Sequence, residues 1–252
     1  NAPPPSYSTS DLPGTWFSSL ISSGTSPEWC RSKLSVNSAG TFTMLENLCS
    51  DNDNTLSAPF SGEITSGGEV THPAFPSYHG YMSKTKDLVF MTSTSTNGSD
   101  NTYQFNVFHK LDNSVSFSTA DLTGTWFSSL ISSGTSPEWC RSKFSVNSVG
   151  TFTMLENLCS DNDTTLSAVM NGAITSGGEV TFPALPSYRG YMSKTKDLVF
   201  MTSTNSSGTT YQFNVMNKLN TSVSFSGADL AGTWNMHMLG SGGTPPLQQG
   251  VW

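Results

Sequence analysis

Along this chain apolar residues alternate with Ser, Thr and Asn at a period of two, and clusters of turn-forming residues interrupt the alternation at short intervals. That period is the signature of half-buried strands, and no segment carries a helical period. In the second half of the chain the pattern predicts strands at 124–132, 139–146, 151–159, 166–175, 179–183, 188–193, 197–204, 210–219 and 222–226. The breaks are N-S-V-G, S-D-N-D, S-G-G and S-K-T-K-D, composed of residues that favour turns. Eight or nine short strands joined mostly by tight turns predict an antiparallel meander that closes on itself. The expected fold is all-β, with tandem antiparallel up-and-down β-barrels of about eight strands each.

The tandem arrangement comes from a repeat. Asp11–Thr94 lies on Asp121–Thr204 without a gap, and only 11 of those 84 positions differ. A two-residue deletion separates Ser95–Asn101 from Asn205–Thr209, after which the copies realign at Tyr103 and Tyr211. An indel of this kind marks a surface hairpin tip. A third opening, D-L-A-G-T-W at Asp229, repeats D-L-P-G-T-W at Asp11 and D-L-T-G-T-W at Asp121. The expected division is a Pro/Ser-rich linker over 1–10, repeats over 11–120 and 121–228, and the first strand of a third repeat over 229–252. A stretch this short cannot build its own core. Leu230, Trp234, Met236 and Met238 are therefore expected to add a strand to a sheet edge, in this chain or a neighbouring one.

Composition narrows the partners. Charged residues make up 12% of the chain and the net charge is −7 with no basic cluster, which excludes a phosphate-backbone footprint and hence nucleic acid. No apolar run is long enough to span a bilayer as a helix. A start at Asn1 followed by a Pro/Ser stretch reads as the product of leader removal, so a secreted or cell-surface location is expected.

The four cysteines form two copies of one pair, Cys30/Cys49 and Cys140/Cys159. Opposed residues in an antiparallel pair share a constant sum of residue numbers. With a turn at Asn147–Gly150 and Val146 opposite Phe152, that sum falls one short of the sum for Cys140 with Cys159. A one-residue bulge would therefore place the sulfurs directly across the pair, within bridging distance. Such a disulfide contributes about 3 kcal/mol in the chain-entropy treatment.

L-x-G-T-W-F followed by S-x-F-S-V-N-S-x-G-T-F-T resembles the first strands of avidin-like and other calycin barrels, over roughly the first forty residues of each copy. The resemblance implies that Gly14 with Trp16, and Gly124 with Trp126, plug one barrel end. It does not imply biotin binding, because neither complete copy has a further tryptophan after Trp29 or Trp139. The whole unit also looks like the tandem D-L-x-G-T-W repeats of uncharacterised bacterial exported and surface proteins, which implies an extracellular array and assigns no chemistry.

Near-identical copies expose catalytic candidates to comparison. His72 becomes Phe182, His79 becomes Arg189 and His109 becomes Asn217, so a Ser-His-Asp site in both copies is excluded. These histidines are expected at the surface or rim. Glu28, Glu46, Asp51, Asp53, Glu69 and Asp87 recur, Glu63 becomes Ala173, and no spacing singles out a catalytic pair. No cofactor is expected, and calcium is the one cation for which the sequence offers a site: Glu46, Asp51 and Asp53, repeated as Glu156, Asp161 and Asp163. Alternating acids suit a hard cation, although the length and glycine of an EF-hand loop are absent. Phe17, Trp29, Phe42, Tyr78, Tyr81, Phe90, Tyr103 and Phe105 read as a filled core, with a ligand cavity or sugar-stacking face as the alternative. Glycosylation sequons stand at Asn97, Asn162, Asn205 and Asn220.

The function expected first is a non-enzymatic extracellular structural role as a stalk, adhesin or filament subunit, associating through edge strands or neighbouring repeats. The alternative is a calycin-like binding module for a small apolar ligand or a glycan. A hollow barrel would favour the second.

Overall fold

The computed structural model describes residues 6–97, 100–240 and 248–251. The first barrel consists of β1 (Gly14–Gly24), β2 (Trp29–Val36), β3 (Thr41–Cys49), β4 (Phe60–Ser61), β5 (Glu63–Ile64), β6 (Glu69–Thr71), β7 (His79–Met82), β8 (Leu88–Asn97) and β9 (Asp100–Leu111). The second repeats it as β10 (Gly124–Gly134), β11 (Trp139–Val146), β12 (Thr151–Cys159), β13 (Met170–Asn171), β14 (Ala173–Ile174), β15 (Glu179–Thr181), β16 (Arg189–Met192), β17 (Leu198–Thr204) and β18 (Thr210–Lys218). Each sheet is an antiparallel meander in which the first strand pairs with the last, in the order β4-β3-β2-β1-β9-β8-β7-β6-β5 and its equivalent. The two sheet edges, β4 and β5, are consecutive pieces of chain hinged at Gly62. A Cβ there would lie 2.6 Å from the Phe42 ring, and at Gly172 it would lie 2.7 Å from Phe152. Glycine lets the chain bend over that ring, so β4 and β5 act as one kinked strand that nearly closes an eight-membered barrel.

Two predicted strands differ. The expected strand 166–175 is reduced to β13 and β14, because residues 160–169 run as an irregular loop. The expected strand 222–226 is not one: residues 223–226 form no ladder and Phe225 is exposed.

The equivalents of Phe225 explain where the repeats begin. Tyr7 lies on Gly68 and Phe117 on Gly178, where a Cβ would meet the rings at 2.8 and 3.0 Å. Both glycines have φ of +89°, so bare backbone forms the seat. Tyr7 joins the core of the first barrel and Phe117 packs against that of the second. The units therefore start near Ser6 and Ser116, upstream of the boundaries at 11 and 121 read from the alignment. The stretch 6–10 is part of the fold rather than linker.

The D-L-x-G-T-W motif closes one end of each barrel. Its Asp is the third residue of a short helical turn and accepts the backbone N–H of the capping Ser8 or Ser118 at 2.9 and 2.8 Å. The Leu carbonyl that follows accepts the indole N–H of Trp16 or Trp126 at 2.7 and 2.6 Å. Both indoles are buried, as the resemblance implied. Lys110 and Lys218 lie over them and donate to the Asp11 and Asp121 carbonyls. Gly14 and Gly124, at φ of +137° and +133°, leave room for those lysine stems. The disulfides Cys30–Cys49 and Cys140–Cys159 are formed. Val146 faces Phe152, Cys140 faces Cys159, and a bulge falls between Lys143 and Phe144, with the same register in the first barrel.

The barrels pack through β1, β2, β8 and β9 against β10, β17 and β18. Ile21, Leu88, Val107, Phe200 and Phe213 are buried there, with Phe90, Phe105 and Ile131 alongside. Arg31 Nε donates to Thr202 at 2.7 Å and its terminal nitrogen to the Ser187 carbonyl at 2.9 Å. Trp29 donates to Thr204 at 2.6 Å. Phe17, Trp29, Phe90 and Phe105 thus serve the interface rather than a barrel interior. His109 is fully buried in the same contact beside Phe17, Tyr191 and Phe200, and His72 is buried inside the first barrel; only His79, paired with Glu69, is at the surface as expected.

Leu230, Trp234, Met236 and Met238 do not extend either barrel. Asn235–Met238 (β19) pairs with Gln248–Val251 (β20) in a separate two-stranded sheet. Both barrels are already closed by their own first and last strands, which leaves no long edge to receive a donor. Trp234 nevertheless repeats the motif geometry, its indole donating to the Leu230 carbonyl at 2.9 Å while remaining exposed.

Candidate ligand cavity

The interior of the first barrel is hollow, with a cavity of about 900 Å³. Its floor is the plugged end, where Leu12, Trp16, Leu34, Val70 and Val89 meet. Phe42, Phe60, His72, Phe75, Tyr78 and Phe108 form an aromatic wall. The expectation of a filled core is corrected for this barrel. Strand alternation sends side chains inward but does not say whether they meet, and here Ser18, Ser32 and Asn106 take inward positions that larger residues would have filled.

The polar side chains in the cavity are largely paired with each other. Ser18 donates to Asn106 and Ser32 to Asn47, both at 2.8 Å. Gln104 accepts from Tyr78 at 2.9 Å and from Ser93 at 2.7 Å. Glu28, half-buried, and Asp53, exposed, are also among the lining residues. Burial, and then the charges of Asp51 and Asp53, push the Glu28 carboxyl above its usual range. Burial pulls His72 below its ordinary value.

The calcium candidates are not gathered. Glu46 and Glu156 turn to Lys33 and Lys143 across the strand pair, at 3.3 and 2.8 Å. Asp51 and Asp53 accept the amides of Asp53 and Thr55 at 2.8 and 2.9 Å, as Asp161 and Asp163 do at 2.9 and 2.8 Å. These are turn-stabilising bonds. Among the described residues, candidate ligand atoms converge at Glu28 with Cys30 and Cys49, and at Glu138 with Cys140 and Cys159. Their sulfurs are bonded to each other and offer no thiolate.

Of the residues lining the cavity, Leu34, Pro59, Phe60, Ser61, His72, Phe75 and Phe108 change in the second barrel, to Phe144, Val169, Met170, Asn171, Phe182, Leu185 and Met216. Phe182 is buried, with its ring 5.0 Å from Phe152 and 6.0 Å from Tyr188. Sequence reasoning passed over His72 as a site residue. The signal was its exchange for Phe, which marks a buried position.

No protein-family model matches the chain, and no curated protein matches it. Among solved structures, kievitone hydratase from Nectria haematococca is similar at 9% identity, covering 88% of this chain and 96% of that one, with a TM-score of 0.25. A superposition that loose carries no argument about either fold or activity.

Proposed function

We propose that this is a secreted, non-enzymatic binding protein whose first barrel holds one small, largely apolar molecule. The observation that carries the reading is the cavity of about 900 Å³ with its aromatic wall and mutually satisfied polar pairs. Ligand pockets are concave, mostly apolar and provided with a few polar groups, and this volume suits a drug-sized molecule. The two disulfides agree with an oxidising compartment. The test is native mass spectrometry of the full chain with a panel of neutral aromatic and terpenoid compounds, beside a variant carrying Leu34→Phe and His72→Phe. One-to-one adducts that the double variant loses are expected; no adduct with any compound sinks the reading.

A second reading, association with further copies of the chain, is favoured by one observation. Phe127 and Trp139 are exposed, whereas their counterparts Phe17 and Trp29 make the inter-barrel contact. Light scattering at rising concentration tests it, and a constant monomer mass removes it.

A further inference from the structure

We propose that the ligand of the first barrel is an apolar amine, with a hydrocarbon body in the chamber and one protonated amino group on the carboxylate of Glu28. The inference rests on the binding function proposed above. Along β2 every second residue faces inward, and Leu34, Ser32, Cys30 and then Glu28 all line the cavity. The first three face Trp16, Ser18 and Leu20 across the ladder, so Glu28 stands furthest from the tryptophan plug, about 20 Å along the strand from Leu34. Ser22 fixes its backbone: the Glu28 N–H donates to the Ser22 hydroxyl at 2.9 Å, and the Glu28 carbonyl accepts the Ser22 N–H at 2.9 Å. A Glu28 carboxylate oxygen lies within 4.8 Å of the Cys30 and Cys49 sulfurs, and both cysteines line the cavity. The residue is half-buried, so the carboxylate is held against the inner wall without being sealed in.

At this level of the barrel the carboxylate is the polar group left over. Ser22 faces Gln104 in register, and Gln104 faces Ser93. Gln104 accepts from Tyr78 and Ser93, and the Ser22 hydroxyl is occupied by Glu28 itself. Burial, Asp51 and Asp53 all push the Glu28 carboxyl upward, and no hydrogen bond or cation among the described residues opposes them. Asp53 lines the cavity as well, and no Lys or Arg does. A partly desolvated carboxylate beside a second one attracts a positive charge and repels an anion. The rings of Phe75 and Tyr78 in the same wall accept the apolar body and tolerate a cation over their faces. The second barrel repeats the acid: Ser132 holds Glu138 at 2.7 Å, and the Glu138 carboxylate lies against Cys140 and Cys159. The two barrels thus share the acid and differ in the wall around it.

The test compares two nearly isosteric probes, 2-naphthylmethylamine, which is protonated near neutral pH, and 2-ethylnaphthalene, which carries no charge. Binding to the full chain is measured by equilibrium dialysis, with Glu138→Gln already in place so that the first barrel alone carries the acid. Glu28→Gln is expected to weaken the amine about tenfold, the size of a charge-assisted hydrogen bond, and to leave the hydrocarbon within about twofold. Glu28→Ala is a second uncharged variant in case Gln does not fit. Glu28→Asp, which keeps the charge, is expected to retain much of the amine's affinity. Glu63→Gln removes the same charge from an exposed acid outside the cavity and is expected to change neither probe. An amine that does not bind, equal changes for both probes, or an equal loss in Glu63→Gln would overturn the assignment while leaving a binding barrel. Failure of both probes to bind would remove the binding reading and this inference with it.

Discussion

Phe90 and Phe200 occupy equivalent positions in the two barrels and meet each other edge-on across the interface, with ring centroids 6.3 Å apart. Phe105 and Phe213 do the same at 5.7 Å. Contacts between equivalent residues mean that the barrels pack about a local pseudo-twofold axis, as subunits of a dimer would. Phe200 is fully buried, so Phe200→Ala is expected to cost about 3–5 kcal/mol. Urea melts that showed a loss below about 1 kcal/mol would mean that the barrels do not depend on this contact.

Trp126 and Trp234 make the same indole-to-carbonyl bond, but Trp126 is 0% exposed and Trp234 is 52% exposed. Burial, not the local bond, should decide their contributions. Trp126→Ala is expected to lose about 3–5 kcal/mol and Trp234→Ala about 0.5 kcal/mol or less. Equal losses in parallel melts would show that the motif's own bonds, rather than the barrel around it, carry the stability.

His109 gives the interface a dependence on pH. Burial pulls its pKa down to about 3, with the nearby Asp87 opposing the shift. Asp87 is itself buried and faces Lys194 of the other barrel at 3.7 Å, while Tyr191 is the other titratable ring against His109. An unfolded histidine titrates near 6.5. Between that value and about 3 the unfolded chain binds the extra proton and the folded chain does not. Stability from this group is therefore complete above pH 6.5 and falls with decreasing pH, by up to about 1.4 kcal/mol per unit. His109→Asn, the residue at 217, should flatten the profile between pH 7 and 5 in denaturant melts. An unchanged slope would show that His109 is not the group responsible.

Strand order, register and disulfides were legible in the sequence because each follows from local rules. Alternation gives the faces, turn residues give the reversals, and the numbering of Val146, Phe152, Cys140 and Cys159 leaves room for only a one-residue bulge. The hollow interior was not legible. It depends on whether the inward side chains of opposite walls meet, a property of the closed barrel and not of any one strand. Nor was the partition of the aromatics. Phe17 and Phe90 sit in strand-forming runs as Phe42 does, and only the second barrel makes their face a buried one. His109 was hidden for the same reason: Asn217 replaces it at a position that the pseudo-twofold contact treats differently on its two sides.

That difference supports a last prediction. Trp29 is 6% exposed and bonded to Thr204, whereas its counterpart Trp139 is 40% exposed. Under exact symmetry Trp139 would reach Thr94, Arg141 would reach Thr92, and Phe127 would cover Tyr81 as Phe17 covers Tyr191. Strand β19 occupies part of that place instead. His237 bonds Thr92 at 3.3 Å and lies 5.9 Å from the Tyr81 ring. The segment continues to Leu239, which lines a gap of about 380 Å³ with Ile21, Ile131 and Trp139, and to Gly240, whose carbonyl accepts from Ser23. The third-repeat segment thus acts as a wedge in one half of the interface, and Phe127, Trp139 and Arg141 with Tyr81, Thr92 and Thr94 offer that half the contacts that their counterparts make in the other. Deletion of Asp229–Trp252 is expected to let it close. The deletion leaves four tryptophans, of which Trp16, Trp29 and Trp126 are already buried, so acrylamide quenching reports Trp139 alone. Quenching should fall and the emission should shift to the blue, with Trp139→Phe removing the response. A tryptophan that stays as open to acrylamide after the deletion as before would show that the segment does not hold the barrels apart.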